Sequence, residues 1–194
     1  MHNSIQGVLS VCSFALFAAM VITRIQIMKR RGIVTFVLGQ NNKSDYFLVL
    51  IILFLAYSSA ASALGLPIPA ILLRPFWENS TPGWLGIFLC YAANIGFALS
   101  LKSFGDSLRI GIDTKKPDKL VTDGMYRFSR NPIYLCFLVF FAGLFLVHRN
   151  IVVAIAVSLF ATTIHMQILR EEKFLTEQYG EEYAEYRKKV RRYL

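Results

Sequence analysis

The chain has 194 residues, of which 55% are hydrophobic and only 17% are charged, and its formal net charge is +9. Soluble domains have roughly a quarter of their residues charged, so this composition argues against a soluble globular protein. The positive charge does not indicate nucleic-acid binding, because the basic residues lie in short segments beside long apolar runs and no known nucleic-acid motif is present. Membrane topology and contact with anionic membrane lipids explain these residues better.

The apolar runs predict an all-α, polytopic membrane protein with five transmembrane helices, in a single transmembrane domain that covers residues 1–194. A helix needs about 20 residues to cross the hydrocarbon core of a bilayer. The first run has no basic segment before it and is too long for the apolar part of a cleaved signal peptide, so we expect it to be retained. Pro67 and Pro69 should end the second helix. The predicted spans are residues 5–23, 46–66, 82–101, 132–147 and 151–169.

The last two spans are predicted to form a helical hairpin, because only His148, Arg149 and Asn150 connect them. The tail that follows Leu169 has an apolar stripe at spacings of three and four, which predicts a cytosolic amphipathic helix. Such a helix either lies on the membrane or folds back over the end of the hairpin, and Gly180 is a candidate for a bend. The stripe consists of Leu175, Tyr179, Tyr183, Tyr186 and Val190.

The positive charges predict the orientation in the membrane. Nineteen of the 21 Lys and Arg residues follow the first, third and fifth spans, and only Arg74 and Arg149 lie on the other side. Positive residues stay in the cytoplasm, so we expect the N-terminus outside and the C-terminus in the cytosol. An even number of spans would not separate the charges in this way.

The chemistry is expected on the cytosolic face, in the loop that begins at residue 102 and in the tail. The spans contain no Asp, Glu, Lys or Arg, which argues against a pump or an ion-coupled transporter. The three cysteines lie in apolar runs without the spacing of metal ligands, so we predict no metal. Within the loop, Asn131 suits the N-cap and Pro132 suits the first position of the fourth helix. The helix N-terminus and Arg130 together favour a carboxylate or phosphate, although Arg130 can equally contact lipid headgroups.

The hairpin should bring Arg130, Asn131 and Tyr134 close to Glu171 and Glu172. Two carboxylates at the lipid surface either bind a cationic ligand or sugar hydroxyls, or form a salt bridge with an arginine of the loop.

His165 lies about one turn before the end of the fifth span. It is a candidate general base, although a histidine at such a position is often simply hydrogen-bonded to a neighbouring helix.

Four motifs in the C-terminal half resemble the isoprenylcysteine carboxyl methyltransferase family. They begin at Leu120 (LVTDGMY), Arg130 (RNPIY), Glu171 (EE) and Gly180 (GEEY). The resemblance implies an integral membrane methyltransferase that uses S-adenosyl-L-methionine, which is held by residues 102–194 in a cytosolic pocket without a Rossmann domain. No strand followed by G-x-G-x-x-G occurs in the chain.

The resemblance also implies roles for particular residues. Gln167 is the implied substrate-binding residue, whereas Arg130 and His165 are candidate catalytic residues from their position and chemistry. The implied cofactor-binding residues are Lys119, Leu120, Val121, Tyr126, Asn131, Pro132, Tyr134, Glu171 and Glu172.

Two positions depart from the family pattern. Asn131 replaces the histidine of Arg-His-Pro-x-Tyr, and Gln167 occupies the position of an arginine tied to the substrate carboxylate in the eukaryotic enzymes. The expected substrate is therefore a lipophilic small molecule or a lipidated acceptor, with its reacting group left open. The alternatives are a phospholipid amine N-methyltransferase, an NADPH-dependent sterol-type reductase, and a non-catalytic membrane subunit or permease.

Overall fold

The computed structural model of the chain describes residues 4–30, 44–67, 69–70, 74–104 and 120–194. A 3₁₀ helix, Gly124–Arg127, lies between the third and fourth α-helices. The described residues contain no β-strand and one isolated bridge, between Pro75 and Asn150. The predicted all-α class is therefore confirmed for this part of the chain. The α-helices are α1 Ser4–Arg30, α2 Ser44–Leu64, α3 Thr81–Phe104, α4 Pro132–His148 and α5 Ile151–Lys189.

Four of these helices, α1, α2, α3 and α5, are long and apolar enough to cross a membrane, which is consistent with an integral membrane protein. Helix α4 is equally apolar but has only 17 residues. At a rise of about 1.5 Å per residue it is ~26 Å long, slightly less than the ~30 Å of a typical hydrocarbon core. The described residues thus contain four clear span candidates and a shorter fifth apolar helix.

Helix α2 ends at Leu64, two residues before the predicted end, and the prolines are not the immediate cause. Gly65 has a φ of 67°, the left-handed conformation that glycine adopts without a steric penalty. The N–H of Leu66 donates to the carbonyl of Ala61 at 3.2 Å. This bond is typical of the Schellman motif, so the glycine and not Pro67 terminates the helix.

Helix α4 lies at the centre of the fold and packs most extensively against α3. Phe140 and Leu144 are fully buried in a core to which all five helices contribute. Gly86 and Gly143 let the two backbones approach closely, because a Cβ on Gly143 would lie 2.6 Å from the carbonyl oxygen of Gly86. This contact sets the distance between α3 and the hairpin, and therefore positions both ends of α4.

Helix α5 continues beyond its apolar part into the charged tail, and its 39 residues are interrupted at Gly180. Gly180 has φ 51° and ψ −119°, which no other type of residue adopts readily. The bend directs the last part of α5 back towards the loop, where Tyr183, Tyr186 and Val190 pack with Leu120 in a second buried cluster. The apolar stripe of the tail therefore faces the protein at the end of the hairpin.

Candidate functional site

The start of α4 and the charged part of α5 are in direct contact, as the hairpin predicts. The hydroxyl of Tyr134 donates to Oε1 of Glu171 at 2.5 Å. The guanidinium of Arg130 donates to Oε1 of Glu172 from Nη2 at 2.9 Å and from Nε at 3.2 Å. The two motifs that lie about 40 residues apart in the sequence are therefore assembled into one polar cluster.

Glu172 is the most heavily engaged group of this cluster, and its side chain is only 6% exposed. Its Oε1 accepts hydrogen bonds from Arg130 and from Nδ2 of Asn131 at 3.2 Å. Its Oε2 accepts from Arg192, from Nη2 at 2.9 Å and from Nε at 3.1 Å. Burial alone would raise the pKa of Glu172, but the hydrogen bonds from Arg192 and Arg130 and their charges outweigh burial and hold the pKa below its ordinary value.

Arg130 also binds the backbone of the C-terminal segment, residues 190–194. Its Nη1 donates to the carbonyl of Val190 at 2.8 Å, and its backbone N–H donates to the carbonyl of Arg191 at 2.9 Å. Ser129 and Asn131 donate to the carbonyl of Arg192 at 3.1 and 3.2 Å. The chain end is therefore tied across the start of α4, and every guanidinium nitrogen of Arg130 has a partner within the protein.

Glu171, the neighbouring residue, is held in a different way. Oε1 accepts from Tyr134 and from Nε2 of Gln167, the latter at 2.9 Å, whereas Oε2 has no hydrogen-bond donor among the described residues. Burial raises the pKa of Glu171, and the hydrogen bonds from Tyr134 and Gln167 only partly oppose that effect. The site thus holds one carboxylate that is saturated by protein donors and a second that keeps an oxygen free.

The cap of α4 differs from the prediction. The helix begins at Pro132, as predicted, but the side chain of Asn131 makes no capping hydrogen bond. Its amide is turned towards Glu172 and the carbonyl of Arg192 instead. The charged acceptor is the better partner, because a hydrogen bond to an ionised group is stronger than one to a backbone amide.

The remaining predicted residues lie around this cluster. Leu120 and Tyr126 are buried, Val121 is partly buried, and the hydroxyl of Tyr186 donates to the carbonyl of Tyr126 at 2.7 Å. Lys119 lies outside the described residues.

His165 is hydrogen-bonded through Nδ1 to the hydroxyl of Tyr193 at 2.7 Å, and the two rings stack with centroids 6.2 Å apart. The alternative expectation, a partner on a neighbouring helix, is thus met in part, because the partner belongs to the C-terminal segment. Whether His165 acts as a base stays a prediction.

The sequence predictions missed the contribution of the C-terminal segment, above all Arg192 and Tyr193. Arg192 is one of seven basic residues of the tail, and its neighbour Arg191 has the same local sequence context. No sequence signal separates the arginine that pairs with Glu172 from the one that does not.

An open groove of about 350 Å³ lies beside this network, on the side of α5 that faces the C-terminal segment. Leu169, at the end of the apolar part of α5, is at its border, and Glu172 and Arg192 line it. The groove therefore adjoins both the apolar span and the charged network.

Comparisons with known proteins identify a family and a relative of this chain. The Phospholipid methyltransferase family matches residues 81–182, which is more than half of the chain. The chain is also similar to protein-S-isoprenylcysteine O-methyltransferase of Schizosaccharomyces pombe, with 29% identity over 159 residues that cover 77% of this chain and 66% of that relative. The matched range extends from the start of α3 past the bend at Gly180, and it contains the first three motifs and the first three residues of the fourth. The chain therefore belongs to the phospholipid methyltransferase family of membrane proteins, as the resemblance of its motifs predicts.

Proposed function

We propose that the protein is an S-adenosyl-L-methionine-dependent methyltransferase of the membrane that acts on a lipophilic acceptor. The observation that carries this proposal is the position of Glu171, in the family-matched region and at the end of the hairpin. Its carboxylate is oriented by Tyr134 and Gln167 through one oxygen, and its other oxygen accepts no hydrogen bond from the described residues and is proposed to bind a ligand. A carboxylate that the protein orients but does not saturate is what an amino group or a pair of ribose hydroxyls requires.

The residues around Glu171 fit the chemical groups of the cofactor. Oε2 of Glu171 can accept from the amino group or the ribose, and the rings of Tyr126 and Tyr134 can pack on the adenine or the sulfonium, since cations favour aromatic faces. Leu120 and Val121 supply apolar surface beside them. When bound, the cofactor supplies an electrophilic methyl group on a cationic sulfur.

Further groups complete the proposed pocket. Asn131 and Pro132 form the start of α4 there, and Lys119 is assigned to the same pocket by motif alone. Arg130 and Glu172 are proposed to act chiefly by holding the start of α4 and the C-terminal segment in place, because their polar atoms are already paired within the protein. A direct bond from Arg130 to the cofactor carboxylate would replace one of these contacts.

In this proposal the protein aligns the acceptor with the methyl group and keeps water away from it, which is the main requirement of an in-line displacement. A carboxylate acceptor is already ionised and needs no base. An amine or thiol acceptor must lose a proton, and His165, held by Tyr193, is the candidate base for that case.

The acceptor is proposed to be lipophilic and to enter from the bilayer side. Gln167 is neutral, and its side-chain amide N–H donates to Glu171. It therefore presents no positive charge to a substrate carboxylate, unlike the arginine that the family pattern has at this position. We propose residues 102–194 as the catalytic region, with α4 as the fifth span. The N-terminus would then lie outside and the C-terminus in the cytosol, following the distribution of positive charge.

Calorimetry with S-adenosylhomocysteine on the purified full chain tests the cofactor site. We expect binding by the wild-type protein and at least a tenfold weaker affinity for Glu171→Gln, which corresponds to about 1.4 kcal/mol. Glu181→Gln is the matched control, because Glu181 is exposed and lies on the same helix beyond the bend. No binding by the wild-type protein, or equal binding by Glu171→Gln, would contradict the proposed site.

The acceptor is tested by incubation with cofactor labelled in the methyl group, first with membrane phospholipids and then with prenylcysteine analogues. Label in a prenylcysteine ester supports a carboxylate acceptor. Label in a phospholipid headgroup supports the alternative of a phospholipid amine N-methyltransferase. The matched family is described as Phospholipid methyltransferase. Binding of NADPH in place of S-adenosylhomocysteine would favour the reductase alternative.

A further inference from the structure

The end of α4 opposite to the candidate site holds a second buried arginine, Arg149, whose environment is unlike that of Arg130. Arg149 is only 5% exposed. Its Nη1 donates to the carbonyl of Asn79 at 2.6 Å. Its Nε is enclosed and has no hydrogen-bond partner, and no carboxylate of the described residues forms an ion pair with it. Glu78, which directly precedes Asn79 in the sequence, is exposed and does not pair with Arg149.

A buried guanidinium without a counter-charge is unfavourable, because burial removes its hydration and a single neutral acceptor replaces little of it. The backbone at this residue is also unusual. Arg149 has φ 40° and ψ 38°, in the left-handed region, and is the C-cap of α4. Among the described residues it is the non-glycine with a positive φ, at a position where glycine or asparagine would be the ordinary choice.

A second unpaired donor lies at the same end of α4. The indole N–H of Trp77 is buried and has no acceptor. The Trp77 ring packs edge-on against Phe145 with centroids 5.9 Å apart, and Phe145 is the residue whose carbonyl accepts the backbone N–H of Arg149. The backbone N–H of Phe76 donates to the carbonyl of Arg149 at 2.7 Å, so the segment that carries Trp77 is fastened to the turn that carries Arg149.

The surroundings of these two donors are typical of the membrane interface. Phe76, Trp77 and Phe145 form a cluster of three aromatic rings, and the ring of Phe76 is half exposed. Aromatic residues are enriched at the level of the lipid headgroups, where one part of the side chain is in an apolar environment and another is near polar groups. An arginine and an indole N–H at that level can bind the phosphate oxygens of a lipid.

We propose that Arg149 and Trp77 form an anion site for a phosphate group, supplied by a phospholipid of the leaflet opposite to the candidate active site. The phosphate oxygens would provide the charge and the acceptors that the described residues lack. The guanidinium would bind through Nη2, which makes no hydrogen bond to the described residues, and through Nε after a small rotation. This site does not depend on the proposed methyl transfer, since it lies at the other end of α4.

Thermal unfolding of the full chain tests the proposal, with the protein stripped of lipid in a maltoside detergent and followed by circular dichroism. Phosphatidylglycerol should raise the Tm of the wild-type protein by about 3 °C, as expected for a ligand that binds only the folded state. A galactosyl diacylglycerol, which has the same acyl chains without a phosphate, should raise it less. The increase due to phosphatidylglycerol should be absent in Arg149→Gln and retained in Arg74→Gln, which removes an exposed arginine near Trp77.

A separate arm with inorganic phosphate distinguishes the two sources of the anion. An Arg149-dependent increase with phosphatidylglycerol alone supports a lipid headgroup, and an equal increase with inorganic phosphate reassigns the site to a free anion. If Arg149→Gln does not fold, Trp77→Phe keeps the aromatic packing and removes only the N–H, and it should reduce the increase. The proposal is overturned if the increase is the same in Arg149→Gln, or in Trp77→Phe where that variant is used, as in the wild-type protein.

Discussion

Helix α4 has a buried arginine near each of its ends, and the two residues are satisfied in different ways. Arg130 precedes the helix and is paired with Glu172 and with the carbonyl of Val190. Arg149 follows the helix, and within the described part of the chain its guanidinium has one hydrogen-bond acceptor, the backbone carbonyl of Asn79. The residues that the structure describes supply a counter-charge at the end where the motifs lie and none at the other end. The two arginines therefore differ in whether a carboxylate of the described residues neutralises their charge.

The largest expected effect comes from removing the counter-charge at the paired end. Glu172→Gln leaves Arg130 and Arg192 facing a neutral amide, and removal of one partner from a buried ion pair lowers the free energy of unfolding by about 3 kcal/mol. Unfolding in detergent with increasing dodecyl sulfate measures this change.

Glu177→Gln is the matched control for Glu172→Gln. Its carboxylate is 66% exposed and forms an ion pair with the exposed Lys173, so we expect a change below about 0.5 kcal/mol. Equal losses in the two variants would mean that the network around Glu172 does not stabilise the fold.

The next largest loss of stability is expected from a substitution in the middle of α4, which leaves both arginines and their partners in place. Gly143→Ala places a Cβ 2.6 Å from the carbonyl oxygen of Gly86 and 2.8 Å from Sγ of Cys90. The backbone of α3 must move, which lowers the free energy of unfolding by about 2 kcal/mol. The loss should be the same with and without phospholipid, which separates a packing defect from a loss of ligand.

Ala142→Val serves as the control for Gly143→Ala, because Ala142 is the preceding residue and is exposed. It should change stability by less than about 0.5 kcal/mol. A wild-type stability for Gly143→Ala would show that α3 and α4 are not in the close contact described above.

A smaller effect is expected at the unpaired end when no phosphate is present. In lipid-free detergent Arg149→Gln loses the hydrogen bond to Asn79 but also removes a buried charge without a partner, so the net change should stay within about 1 kcal/mol. Arg130→Gln under the same conditions should resemble Glu172→Gln. If Arg149→Gln were the more destabilising of the two, the conclusion that, among the described residues, Arg130 is paired and Arg149 is not would be wrong.

The smallest expected effect is on the pH dependence of stability. Because the pKa of Glu172 is depressed in the folded protein, its contribution is complete above the ordinary value of 4.5 and is lost as the pH falls through the folded-state pKa. The wild-type protein should therefore lose more stability than Glu172→Gln when the pH is lowered from roughly 5 to 3. Glu171, with a raised pKa, contributes with the opposite sign, so Glu171→Gln should lose at least as much stability as the wild type over this range. Identical slopes for the wild type and Glu172→Gln would contradict the assignment of the ion pairs.

The sequence predicted the helices well, because an apolar run of membrane length must satisfy its backbone hydrogen bonds internally and therefore forms a helix. It also placed the start of α4 at Pro132, since proline at that position lacks only an N–H that the first turn does not need. The end of α2 was predicted less well, because the prediction assigned it to the prolines, whereas the left-handed Gly65 ends the helix. A left-handed cap depends on the local sequence, so Gly65 is a sequence signal for the end of the helix.

The site was predicted in part. The hairpin placed Arg130 and Tyr134 near the two glutamates, because a short turn makes consecutive helices antiparallel neighbours. The sequence did not reveal which residues of the tail come back to the site. Arg192 and Tyr193 lie at the end of the chain, beyond a bend whose direction depends on the packing of Tyr183 against Leu120.

The two neighbouring glutamates separate what the sequence predicts about the site from what only the tertiary structure shows. The sequence by itself predicted that two carboxylates lie at the end of the hairpin, because only three residues connect the last two apolar helices and the glutamates follow the second of them. Only the tertiary structure decided that Glu172 is saturated by two arginines, whereas one oxygen of Glu171 has no donor in the described part of the chain. The physical reason is that consecutive residues of a helix point about 100° apart, so each one meets different neighbours. Those neighbours come from the loop, from α4 and from the chain end, which only the packed fold brings together.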